Sequence, residues 1–292
     1  YTEVAEGTVV VSAGNVTLRG VEITGDLVIG EGVGEGIVTL EDVTVKGRIL
    51  IRGGKEVKCT GSTEVYKVLC ANGSEKVRVE VEEGAFVTVL SLTDGEKEVE
   101  LAGTVDRAQV GEGGSLLIEK GALEEVTLSG EKAAVTVGKE AQVEEVILSG
   151  DSTKVQAEGK VDRVVVQGTG CVVSGNVELA EVKGDQATVE MESGKVIVDA
   201  GVSGITANGA LTSGGETVKV VPEEKTASSS SSGGGGSSGG GSTGGGGSSG
   251  GSGGDDSSDG DDSDDDKEVT YTVTFDSDGG SEVASQEVKK SG

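Results

Sequence analysis

Histidine and tryptophan are absent from the 292 residues, proline and methionine occur once each, and phenylalanine and tyrosine together number five. Without histidine, neither a Ser-His-Asp nor a Cys-His nucleophilic arrangement can be built, and the usual zinc ligand sets are excluded. With so few rings, a core packed around aromatic side chains is not available. Basic residues are also short: 24 Lys and Arg stand against 52 Asp and Glu, for a net charge of -28. Phosphate binding needs a basic footprint, so nucleic acid and anionic membrane surfaces are excluded as partners. No apolar run reaches the length that spans a bilayer. The three cysteines, Cys59, Cys70 and Cys171, are too few and too scattered for a disulfide framework, and no CxxC spacing occurs. They read as small buried apolar side chains, with a Cys59–Cys70 bridge as the alternative.

What the chain does contain is valine and 53 glycines. β-Branched residues favour pleated, half-buried strands, and glycine supplies corners. The stretch VTLRGVEITGDLVIG from Val16 to Gly30 lies directly over VTLEDVTVKGRILIR from Val38 to Arg52. Six aliphatic positions coincide: Val16 with Val38, Leu18 with Leu40, Val21 with Val43, Ile23 with Val45, Leu27 with Ile49, and Ile29 with Ile51. Each unit reads as three short alternating strands turning at Gly20 or Asp42 and at Gly25 or Gly47. A period of this length marks a solenoid, whose units bury their apolar faces only by stacking.

The joining segment GEGVGEG, residues 30–36, matches neither GxGxxG nor the P-loop spacing and is expected to be a turn between rungs. Residues 1–15 do not fit the register of these two units and are expected to form an entry strand covering the first rung. From Gly53 to about Leu92 the pattern blurs and the register is expected to slip. Beyond it, Ala108, Val126, Val146, Val164 and Ala180 recur at offsets of 18, 20, 18 and 16, with EEVTLSG, EEVILSG and DRVVVQG as successive copies. No amphipathic helix of ten or more residues is found before residue 221. Residues 1–225 are therefore assigned to an all-β fold, a single-stranded right-handed parallel β-helix of some eleven rungs, roughly 50 Å long at ~4.8 Å per rung. Offsets that are not multiples of six disfavour the left-handed form.

Residues 226–268 read as a disordered linker, Ser and Gly first and then DDSSDGDDSDDD at 255–266, whose like charges repel and extend the tether. With Gly260 at position six of a twelve-residue loop, Asp255, Asp259 and Asp266 fall where an EF-hand places ligands, but Ser257 occupies the third position and coil replaces the flanking helices. A second acidic feature is the column Asp106, Glu124, Glu144 and Asp162, which the repeat places at equivalent corners, with Glu125 and Glu145 adding charge and Arg107 and Arg163 relieving its ends. Either feature allows a weak calcium association; ordinary solvation accounts for both. A two-carboxylate glycosidase needs one defined pair at a set separation, and repeated carboxylates do not single one out. No catalytic, cofactor or metal residues are assigned, and the chain is read as a non-enzyme.

The last segment, YTVTFDSDGGSEVASQEVKKSG at 271–292, resembles the opening half of the Listeria-Bacteroides repeat, the internalin B-type repeat, through its YTVTF strand, the Asp276-Ser277-Asp278-Gly279-Gly280 turn and the VASQEV strand. The family's Pro-rich middle and closing GYxFxGW portion are missing, so 269–292 is expected to be a partial module. ITGDLVIGEGVGEG and VTVKGRILIRGG are similar to β-helical stalk regions of Gram-positive bacterial surface proteins. These resemblances imply a secreted, cell-wall or surface-attached segment that acts as a structural or adhesin-like element toward an unknown surface, host or matrix ligand. Because the chain opens at Tyr1 and closes inside a further module, it reads as a piece of a longer protein. A carbohydrate-active or carbohydrate-binding β-helix, resembling a polysaccharide lyase or hydrolase, is the alternative.

Overall fold

A computed structural model of the chain describes residues 3–71, 76–95 and 98–221, together with the backbone of residues 270–273 and 286–289. Nearly everything described is strand; the one helical element among these residues is a single 3-10 turn, Glu31–Val33, inside the GEGVGEG segment, where Val33 is buried. The expected parallel β-helix is present, with about ten turns.

Each rung has three faces. The first is represented by Val16–Arg19 and Ile37–Glu41, the second by Val21–Ile23, and the third by Leu27–Ile29. In later rungs the faces run together as one bent strand, as in Ser115–Leu128 and Ala134–Leu148. The predicted overlay is the observed register: Val16 pairs with Val38, Leu18 with Leu40, Ile23 with Val45, Leu27 with Ile49 and Ile29 with Ile51. Alternation puts every second residue inside. On the third face this makes one continuous ladder: Val11, Ile29, Ile51, Cys70, Leu92, Val110, Leu128, Leu148, Val166, Val182 and Val198. None of them is more than 6% exposed. At ~4.8 Å per step this ladder is about 48 Å long.

Two expectations about the N-terminal half are corrected. Glu3–Ala5 and Val9–Val11 are not a separate cover: they pair in parallel with Val21–Ile23 and Leu27–Ile29 and form two faces of a rung. The step from Val11 to Ile29 is shorter than the next one, from Ile29 to Ile51, which is why a fixed overlay misses that first rung. The slip expected between Gly53 and Leu92 reduces to a single shift, where Val45 and Arg48 meet Val65 and Lys67. Glu56–Thr60 pairs with Ile37–Glu41 before it and Val77–Val81 after it, while Glu64–Cys70 pairs with Thr44–Ile51 and Phe86–Leu92. The rungs do shorten toward the C-terminus, where one turn carries the ladder only from Val182 to Val198.

The difference in rung length is absorbed at corners. Register shifts fall between Leu101 and Ala102, Ile118 and Lys120, Val137 and Gln142, and Ala157 and Val161, where the first face turns into the second, and between Val45 and Arg48, where the second turns into the third. A tighter corner follows the third face, where Gly130, Gly150, Gly168 and Gly184 stack so closely that a methyl on any of them would strike the backbone of the rung beneath.

The C-terminal end closes by reversing direction. Ile205–Ala207 turns through Asn208 and Gly209, both at positive φ, into the antiparallel strand Ala210–Thr212. That Asn-Gly pair is what a two-residue hairpin turn requires. Thr217–Val220 then pairs antiparallel with Gly194–Val198. In the last segment, Thr270–Val273 pairs antiparallel with Gln286–Lys289.

Candidate functional site

Charge on the outer surface is organised in columns, because residues with the same outward parity stack rung on rung. Positions 56, 78 and 100 of the first face give Glu56, Arg78 and Glu100 in register, and Lys58 stands beside Glu80. Arg78 Nε lies 3.5 Å from Glu56, its Nη1 pairs with Glu100, and Nη1 also reaches Glu119 at 2.6 Å. Lys58 Nζ lies 2.6 Å from Glu80. The hydrogen bond from Lys58 holds the Glu80 carboxyl below its ordinary range, and the same bond pushes the lysine up. Alternating signs cancel the repulsion that a stack of like charges would create.

The predicted carboxylate column is also in register. Arg107 pairs with Glu125, Glu125 with Glu145 and Glu145 with Arg163, which places Asp106, Glu124, Glu144 and Asp162 one above another in the adjoining position. Its relief differs from expectation. Arg107 makes no ion pair among the described residues, and Arg163 serves the neighbouring column, reaching Glu145 at 2.6 Å and gripping Glu181 through Nε at 3.1 Å and Nη2 at 2.8 Å. This grip lowers the Glu181 pKa and raises that of Arg163. Asp162 is met instead by Lys160 at 2.7 Å, which also reaches Glu178 at 3.0 Å. Glu124 and Glu144 point into solvent.

Among the described residues no three His, Cys, Asp or Glu converge on a position that would hold a metal ion. A ladder explains this, since its carboxylates stand side by side rather than around a centre. The acidic run 255–266, with Asp255, Ser257, Asp259, Gly260 and Asp266, lies outside the described residues.

The cysteines are free and buried. Cys59 stacks on Leu40 in the first face, while Cys70 stacks on Ile51 in the third, so the close pair in sequence is divided between two ladders. The bridge between them is therefore not formed. Burial pushes both thiols up to about 12. Cys171 stands in a corner of small residues, accepting a hydrogen bond from Thr153 Oγ1 at 3.2 Å.

Two features have no counterpart in the sequence reading. An open cleft of about 710 Å³ crosses the corner between the first and second faces, lined by Glu80, Val81, Glu82, Glu83, Gly84, Ala85, Gly103, Thr104, Lys120 and Gly121. Next along the chain from Ala85, Phe86 stands 55% exposed, and on the adjacent rung Tyr66 stands 65% exposed, while their chain neighbours Val87 and Val65 are buried. Outward parity was the available signal: a ring beside an inward valine has to face solvent. No helix among the described residues is long and apolar enough to cross a membrane. Comparison of the chain with protein-family models, with curated proteins and with solved structures gives no match.

Proposed function

We propose that this chain is a structural or adhesive segment of an exported bacterial cell-surface protein, a rigid β-solenoid followed in sequence by a Gly/Ser-rich and acidic segment. The observation that supports this reading is the uninterrupted parallel stack from Val11 to Val198, closed at its C-terminal end by antiparallel strands. A stack that contacts only its neighbours is a spacer whose length grows with rung number. Its outer columns repeat laterally, which suits extended contact with a partner better than enclosure of a small substrate. The resemblance of residues 271–292 to a surface-protein repeat supports attachment to the cell wall or surface. The net charge of -28 keeps such a rod soluble and separate from its copies. Antibodies raised against residues 1–221 should label intact cells of the bacterium that makes the protein; labelling only after lysis would overturn the reading.

The cleft beside Phe86 favours a second reading, a carbohydrate-binding or carbohydrate-active β-helix. Incubation with pectin, alginate and glycosaminoglycans tests it by the appearance of unsaturated or reducing ends. Accumulation of either would replace the adhesive reading with an enzymatic one.

A further inference from the structure

Tyr66 and Phe86 are the only aromatic side chains among the described residues, and the core uses neither. Every interior position of the solenoid is filled by smaller side chains, so folding gives no reason for rings here. Phe86 pairs with Glu64, and Val87 with Val65. The two rings therefore share one outer face, one rung apart and two residues apart along the strand, with their Cα atoms about 8 Å from each other. Side chains this long meet a common ligand across that distance.

The surroundings favour a cationic ligand, the cleft lining carrying Glu80, Glu82 and Glu83 against Lys120 alone. Glu64 lies in register beside Phe86, and Glu82 and Glu83 line the cleft together with Ala85, the chain neighbour of Phe86. None of these three carboxylates forms an ion pair among the described residues, whereas the nearby Glu80 is already held by Lys58. Ring faces attract cations, and unpaired carboxylates at their edges add to that attraction. Across the whole chain, the excess of negative charge steers basic partners inward and repels anionic ones. The cleft reaches from Glu80 over Gly103 and Thr104 to Lys120 and Gly121, three rungs in all, which is more than one side chain fills.

We propose that Tyr66 and Phe86 anchor a basic, extended polypeptide segment of a partner protein, with arginine or lysine side chains lying on the rings and their neighbours entering the cleft toward Glu82 and Glu83. This deepens the adhesive reading by naming the chemistry of the partner. Cell labelling tests location, and titration of the purified chain tests the platform, so each can fail alone.

The probes are a fluorescein-labelled nona-arginine peptide, a nona-glutamate peptide and a neutral chito-oligosaccharide, followed by anisotropy or calorimetry. The parent chain should bind the arginine peptide and neither of the others. Tyr66→Ala and Phe86→Ala should each weaken binding about tenfold, as loss of an aromatic anchor does, with unchanged melting because both rings are exposed. Glu144→Gln, on the distant carboxylate column, should leave affinity within twofold. Equal binding by the parent and both aromatic variants would reduce the interaction to diffuse charge attraction and overturn the proposal. Ring-dependent binding of the oligosaccharide, or no binding of the arginine peptide, would overturn it as well.

Discussion

Replacing Gly150 by alanine tests how closely the rungs are packed at the corner that follows the third face. The added methyl would stand 2.6 Å from the carbonyl carbon of Gly130 and 3.0 Å from Ser129 O, and nearer still to Gly130 O. These are backbone atoms, so no side chain can rotate away. Relief requires the two rungs to part locally by roughly 1 Å, a fifth of the ~4.8 Å strand spacing. Ser149 N and Gly150 N both donate to Leu128 O at 3.0 Å, and that separation stretches both bonds. Overpacking costs about 1–3 kcal/mol, and each weakened bond about 1 kcal/mol. Alanine returns about 0.4–1 kcal/mol by restricting the unfolded chain. The net expectation is a loss of about 2–5 kcal/mol. Gly30→Ala is the internal control, because Gly30 has an ordinary φ of -82 and its methyl would lie 3.4 Å from Val11 O. It should change stability by less than about 0.5 kcal/mol. Urea unfolding followed by far-ultraviolet circular dichroism reads the global effect. Amide exchange around Leu128 and Leu148 reads the local one, since a stacked array can open near the lesion first. Identical midpoints and exchange for the parent, Gly150→Ala and Gly30→Ala would refute the close-packed corner.

Val43 is fully buried and Val21 only half-buried at the N-terminal end, so Val43→Asp should cost at least about 4 kcal/mol and Val21→Asp clearly less, checked by thermal melting. Equal losses would contradict the graded burial of that ladder. Native protein at pH 8 should leave all three thiols unreacted toward Ellman's reagent over minutes and yield three after denaturation, because Cys59 and Cys70 are buried and poorly ionised. Rapid native labelling would place them nearer solvent. Glu181 has a folded pKa below its ordinary value of 4.5, so its contribution is present above that pH and is lost as pH falls through the depressed value. The stability difference between the parent and Glu181→Gln should therefore shrink as pH is lowered from 6 to about 3, as read from urea midpoints at each pH. A difference that stays constant would mean that the Arg163 grip does not stabilise the fold.

The six aliphatic coincidences between residues 16 and 52 were enough to specify three strands per rung and the register in which they stack. The stretch from Gly53 to Leu92 hid the same register for two physical reasons. Rung length changes there, the step from Val38 to Val57 being shorter than the step from Val57 to Val79, so no fixed shift aligns it. In addition, Leu69 is apolar on the outward side of the third face, and the strand interior there no longer alternates with a polar exterior. The carboxylate column was legible because its copies EEVTLSG and EEVILSG differ so little. Its ion pairs were not, since Arg163 chooses Glu181 and Glu145 through reach across strands rather than by sequence spacing. The cleft depends on the path of the corner at Gly103 and Gly121, which a linear pattern of inside and outside positions does not contain.

The corner between the first and second faces is where successive rungs fall out of step, between Ile118 and Lys120, Val137 and Gln142, and Ala157 and Val161. Along the faces of these rungs the backbone is clamped above and below by its neighbours. A gene encoding this chain can therefore be edited at one seam, codon by codon, without rewriting the lining. Residues spliced in between 137 and 142 would hang outside as an appendage while Val135, Val137 and Val143 kept their places. Innovation in such a scaffold proceeds as a comb gains teeth: the spine is inherited unchanged, and novelty accumulates along a single edge.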